Sequence, residues 1–265
     1  MYGLLPAAAA LGSGGVIGLV LGLIGGGGSI LAVPLLVYAV GTTSPHVAIG
    51  TAAFAVAVNA LAGLGLHARR TRIRWPCAIV FSLAGIGGAL AGAAAGKAVD
   101  GRQLLALFGL LMILVGVLML KPKPQAAHPS PWLSRESAPR LLPRLAILGG
   151  AVGLMSGFFG IGGGFLIVPA LMLAANMDLK EATGASLIAV AAFGLASAGS
   201  YAWSGLIDWP TAGLLIGGGA AGALAGTHLN ALLANRRVLM TRVFAGFVIT
   251  AGLYVSARGT LTLMS

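Results

Sequence analysis

The chain has 265 residues, 58% of them hydrophobic and only 8% charged, with a formal net charge of +11. Soluble domains carry about 25% charged residues, so this composition, with a mean hydropathy of +1.00, excludes a soluble globular domain and points to a polytopic protein in the lipid bilayer. One cysteine, Cys77, excludes an internal disulfide, and no Cys/His group has metal-ligand spacing, so neither a metal nor another cofactor is indicated.

Along the chain, Met1 to Leu11 lacks the basic flank of a secretory leader and runs on into apolar sequence, so it reads as the first membrane segment. Apolar runs lie at 3–24, 30–41, 47–67, 76–96 and 103–120, then at 145–159, 163–176, 183–203, 210–230 and 238–256. A spanning helix needs about 20 residues. The runs at 47, 76, 183 and 210 meet that length, and the short runs beside each glycine block fit helices that meet at the block.

Those blocks are Gly25-Gly26-Gly27-Gly28-Ser29 before Val33-Pro34, and Gly160-Ile161-Gly162-Gly163-Gly164 before Val168-Pro169. The copies extend in register: Gly18, Gly22, Gly25, Gly27, Gly28, Val33 and Pro34 pair with Gly153, Gly157, Gly160, Gly162, Gly163, Val168 and Pro169. Further on, Trp75-Pro76 pairs with Trp209-Pro210, and Gly88-Ala89-Leu90-Ala91-Gly92 with Gly222-Ala223-Leu224-Ala225-Gly226. The chain is therefore a duplication, with a first membrane repeat at 1–120, a basic Pro-rich linker at 121–144 and a second repeat at 145–265.

Charge sets the relative orientation of the repeats. The loop with Arg69, Arg70, Arg72 and Arg74 matches a loop, Ser204 to Asp208, that has no basic residue and one acid. Basic residues gather on the cytoplasmic side, so equivalent loops are expected on opposite sides. An odd number of crossings per half leaves only Lys97, Arg102 and Arg258 outside. The expected fold is all-α, two inverted repeats, each a broken-helix hairpin plus three transmembrane helices, with the linker 121–144 cytoplasmic. Because the basic residues lie in short loops beside apolar spans, they do not form a nucleic-acid surface, and no nucleic-acid partner is expected.

A glycine run that breaks a helix in lipid leaves backbone groups unpaired, which is tolerated only where protein or a water-filled cavity meets them. Such a run serves a plain interhelical loop equally well, but breaks at matched positions of two halves are the sequence pointer to a transporter site. Helices opening at Ser29 to Leu31 and at Gly164 to Leu166 would offer N–H groups and partial positive charge to an anion. Neither block continues into the Lys-Ser or Lys-Thr of a phosphate-binding loop. In the next helix of each half, Thr51 and Ser186 supply hydroxyls that either bond their own helix or reach the ligand. Asn59, within an apolar run, has Phe193 as its counterpart and either bonds another helix or meets substrate. Ser186 with His228 could imitate a hydrolase pair, but no third orienting residue accompanies them. The five acidic residues, Asp100, Glu136, Asp178, Glu181 and Asp208, all lie between apolar runs, so no carboxylate relay is expected within the membrane.

This doubled pattern, Gly-x3-Gly-x2-Gly-x-Gly-Gly-x4-Val-Pro in each half, with Gly50-Thr51 or Gly184-Ala185-Ser186 next and Trp-Pro after, resembles the TauE/SafE sulfite exporter family. The resemblance covers nearly everything outside 121–144. It implies a permease of the bacterial inner membrane for a small anion, sulfite or an organosulfur compound. It also makes Gly25, Gly27, Gly28, Ser29, Thr51, Gly160, Gly162, Gly163, Gly164 and Ser186 the substrate-site candidates, beside Asn59. An anion channel is the competing expectation, and an intramembrane hydrolase a remote one.

Overall fold

A computed structural model describes residues 4–24, 26–42, 44–67, 73–120, 138–232 and 237–264, and all regular elements among them are helical. The first half consists of α1 (Leu4–Ile24), a short irregular α2, α3 (Pro45–His67), α4 (Trp75–Ala98) and α5 (Gly101–Leu120). The second half consists of α6 (Ala138–Phe159), α7 (Gly164–Ala175), α8 (Leu179–Trp203), α9 (Trp209–Leu232) and α10 (Arg237–Met264). Among the described residues, seven helices are long and apolar enough to span a membrane, namely α1, α3, α4, α5, α6, α8 and α9. At 12 residues, α7 is only about 18 Å long against a hydrocarbon core of about 30 Å. It cannot cross alone.

Local chemistry fixes the helix starts. Proline follows tryptophan in the first turn of α4 and α9, where a missing N–H costs nothing. Asp100 accepts the Arg102 N–H at 2.8 Å to open α5, and the Asp208 carboxylate accepts the Thr211 hydroxyl at 2.7 Å to open α9. The segment 121–144 reads as helix-breaking, yet α6 already begins at Ala138 within it. Pro139 falls in the first turn, whose N–H groups have no acceptor inside the helix, so only Pro143 removes an intrahelical bond. The rest of the linker, 121–137, lies outside the described residues.

The packing is symmetric under exchange of halves. Helix α1 packs on α9 as α6 packs on α4, while α3 pairs with α8 and α5 with α10. Glycines make these approaches. A Cβ on Gly14, Gly18 or Gly22 would strike the backbone of Leu215, Gly219 or Ala223, and one on Gly149, Gly153 or Gly157 would strike that of Phe81, Gly85 or Ala89. Without side chains in between, backbones meet closely, which is how helices associate where no hydrophobic effect drives them together.

Contact order gives direction. Gly50 lies beside Tyr201, Ala57 beside Gly194 and Gly63 beside Leu187, so α3 and its counterpart α8 run antiparallel. Likewise Gly259 meets Ala106, and Gly116 meets Ala245 and Ile249, so α5 and α10 are antiparallel. This is the arrangement that inverted halves require. One end of the bundle holds Lys97, Arg102 and Arg258 and the other holds Arg74 and Glu181, the division expected from loop charge. Between the ends, Leu83, Leu110, Leu114, Ile147 and Leu173 are exposed, a surface suited to lipid, and exposed Trp75, Trp203 and Trp209 stand at helix ends as interfacial anchors.

Candidate functional site

Each glycine block reverses the chain. In the second half, α6 ends at Phe159 in a wide turn in which the Ile161 N–H donates to the Ser156 carbonyl at 3.3 Å. Gly160, Gly162 and Gly163 then take φ of +64°, +65° and +67°. L-residues with a Cβ pay about 1–2 kcal/mol there, so the block is glycine by necessity. From Gly163, whose carbonyl accepts the N–H groups of Leu166 and Ile167 at 2.8 and 2.9 Å, α7 starts back alongside α6.

The block lies between α3 and α8. A Cβ on Gly162 would stand 3.1 Å from Val56 Cγ1 of α3 and 3.2 Å from Val190 Cγ1 of α8, two residues that are themselves repeat equivalents. Hence the break sits between α3 and α8, against one equivalent residue from each half, and α7 opens there with N–H groups that have no acceptor inside the helix. Gly160 to Gly164 are all buried. The apolar Val56 and Val190 cover the turn.

The first block is built differently. Instead of an α-helix opening at Ser29, the chain winds as a 3-10 helix over Gly26–Leu31, as an α turn over Ala32–Pro34 and as a π turn over Leu35–Val40, which together make up α2. The expectation of equivalent α-helix N-termini is thus met at Gly164 but not at Ser29. A physical difference accompanies this: Gly164 follows left-handed glycines, whereas Ser29 and Ile30 have side chains and continue a right-handed coil. Gly28 is pressed on α1 at Ile17 and Leu21, Gly27 lies within the 3-10 turn, and Ser29 is fully buried. Gly25 lies outside the described residues. The 3-10 stretch packs on α1, α7 and α8, so both breaks share one interior.

The remaining candidates have protein contacts of their own. Thr51 Oγ1 accepts the Asp208 N–H at 3.0 Å, tying α3 to the loop that opens α9. Ser186 Oγ donates to the Thr183 carbonyl of its own helix at 2.8 Å. Asn59 presses its carboxamide on Gly219, as Phe193 presses its ring on Gly85, and Asn59 Oδ1 has no hydrogen-bond partner. Ser186 is buried whereas His228 is exposed, and α8 packs on α3, α4 and α7 rather than α9, so no Ser/His pair forms. Phe158 and Phe159 pack, the latter at 5.7 Å between ring centroids from Phe108. No group of three or more potential metal-ligating residues occurs among the described residues.

Sequence reasoning missed two features. Ser156 is 1% exposed and its hydroxyl has no hydrogen-bond partner, although it stands directly beside Gly163. It lies in the last turn of α6, which ends at Phe159, and the chain beyond the glycine turn folds back over it. The other is a contact between halves, Arg74 Nε to Glu181 Oε2 at 3.1 Å. Nothing in the linear spacing joins those two.

The sequence profile of the family described as "Sulfite exporter TauE/SafE" matches residues 10–255. The chain is 46% identical over 255 residues to a protein of Xylella fastidiosa strain 9a5c named "Probable membrane transporter protein", covering 96% of this chain and 97% of that one. It is 29% identical over 246 residues to "Probable membrane transporter protein YunE" of Bacillus subtilis strain 168, covering 85% of this chain and 90% of the relative. It is also 25% identical over 235 residues to "Probable membrane transporter protein YdhB" of the same organism, covering 86% and 92%. No solved structure matches. With its duplicated glycine breaks, spanning helices and a profile match over nearly its whole length, the chain belongs to the sulfite exporter TauE/SafE family of membrane proteins.

Proposed function

We propose that this protein is a secondary carrier for a small anion, sulfite or an organosulfonate, in a bacterial inner membrane, with the two glycine breaks as its substrate site. The observation that carries this reading is the second break, where left-handed Gly162 and Gly163 launch α7 between α3 and α8. Amides freed at a helix start, with the helix dipole behind them, bind an oxyanion without a cation. The family description and the relatives' names support the transporter class, and the name of the family supports the sulfur chemistry.

In this reading Gly160, Gly162, Gly163 and Gly164 supply the anion-facing backbone, and Gly25, Gly27, Gly28 and Ser29 build the facing wall. Thr51, Asn59 and Ser186 hold the surrounding helices. Because Asp100, Asp178, Glu181 and Asp208 sit at helix starts or in the loops before them, coupling follows the anion's own charge, worth about 2.3 kcal/mol per charge per 100 mV. Such a force drives export. The basic linker 121–144 is cytoplasmic in this topology, and both termini are outside; a periplasm-sensitive reporter fused at residues 72 and 206 gives opposite signals if so.

Counterflow in proteoliposomes tests the carrier reading. Labelled sulfite, then organosulfonates, are expected to show trans-stimulation. Currents without trans-stimulation would establish a channel instead.

A further inference from the structure

We infer that the Ser156 hydroxyl is a direct hydrogen-bond donor to the transported oxyanion and makes the second break, not the first, the primary anion subsite. This assignment rests on the carrier reading above. A buried hydroxyl without a partner is costly, because the water it gave up is not replaced. Helical serines and threonines usually avoid that cost by bonding the preceding turn, as Ser186 does to Thr183 and Thr250 does to Gly246. Ser156 does neither.

Its surroundings say what it serves. The Ser156 carbonyl closes the turn that ends α6 by accepting the Ile161 N–H. Its Oγ lies 3.1 Å from where a Cβ on Gly163 would stand, at the residue that caps the N-terminus of α7. An acceptor held by the first-turn amides of α7 is therefore within reach of this hydroxyl. An oxyanion with two or more oxygens can bridge them, one oxygen on the α7 amides and the next on Ser156. Sulfite and sulfonates have that geometry.

The first half lacks both parts of this device. The residue equivalent to Ser156 is Leu21, on which Gly28 rests as Gly163 rests on Ser156. Beyond Gly28 the chain continues as a 3-10 helix rather than opening an α-helix. The repeats thus share the glycine contact but differ in this hydroxyl and in the helix start beyond it, so the anion has a preferred half.

The test uses full-length protein, purified and in proteoliposomes, with sulfite and methanesulfonate as probes. Ser156→Ala is expected to raise the half-saturation concentration for both anions about tenfold or more, the loss of one charged hydrogen bond, with maximal rate within about twofold. Since the hydroxyl has no partner in the protein, the thermal midpoint without ligand stays equal or rises. Ser156→Cys, similar in size but a weaker donor, shifts half-saturation in the same direction. Unchanged half-saturation in Ser156→Ala, with wild-type transport intact, overturns the assignment and leaves the carrier reading standing. A lowered ligand-free midpoint with unchanged affinity also overturns it, by making Ser156 a packing residue. Failure of the wild type to move either anion overturns the carrier reading and the assignment with it.

Discussion

Arg74 Nε, at the start of α4, lies 3.1 Å from Glu181 Oε2, in the first turn of α8, and so joins the two halves at one end of the bundle. The contact is close but not aligned as a hydrogen bond through those two atoms. With Arg74 5% and Glu181 23% exposed, it is a largely desolvated pair. Removing one partner weakens the compensation of a desolvated charge. Glu181→Gln is expected to lower the thermal midpoint in detergent, and a double-mutant cycle with Arg74→Gln to give a coupling of about 1–2 kcal/mol. A coupling near zero would make the contact idle.

Gly163→Leu tests the second break more severely than any loop substitution. At φ +67° a side chain costs about 1–2 kcal/mol of backbone strain, and its Cβ would stand 3.0 Å from that of Ser156. The variant should insert into membranes and lose transport. Wild-type counterflow by Gly163→Leu would remove the break from the site.

The helix crossings predict a matched pair of defects and a control. Gly18→Leu drives α1 off Gly219, and Gly153→Leu drives α6 off Gly85, so both should reduce the yield of monodisperse protein to a similar extent. At Gly217 a Cβ meets nothing within 4 Å, so Gly217→Ala should be silent in the same size-exclusion measurement. A large difference between Gly18→Leu and Gly153→Leu would show that the symmetric contacts are unequal in energy.

Asn59 offers a prediction of the opposite sign. Its Oδ1 is buried without a hydrogen-bond partner beside Gly219, and relieving an unpaired polar atom stabilises by about 1–3 kcal/mol. Asn59→Leu should therefore raise the thermal midpoint without changing half-saturation for sulfite. Lost affinity in that variant would return Asn59 to the anion site.

What the sequence makes legible is whatever repeats along it. The glycine pairs Gly18/Gly153 and Gly28/Gly163 and the Trp-Pro helix starts announce the duplication, and the arginines of one loop against the acid of its counterpart announce the inversion. The membrane helices follow from apolar length. What stays hidden is contact between residues far apart in the chain: Arg74 finds Glu181 at one end of the bundle, and Thr51 finds the Asp208 N–H at the other, only because the packing of the halves brings those segments together. Among the hydroxyls, Thr51 and Ser186 stand near helix starts, where a ligand contact and a structural hydrogen bond look alike, whereas Ser156 sits in the last turn of α6 and is marked out only by the chain folding over it. The 3-10 course of the first block is also invisible, since its glycines match those of the second.

The crossed pairing of α1 with α9 and of α6 with α4 has a consequence for biosynthesis. The glycine face of α1 enters the membrane before α2 to α8 are made, yet the helix that fits it, α9, leaves the ribosome only after them. Until then that face can meet only lipid or a chaperone, while α6 finds α4 already in place. Assembly is therefore lopsided in time although the finished molecule is symmetric in space, and a chain truncated before α9 leaves α1 without its glycine-matched helix.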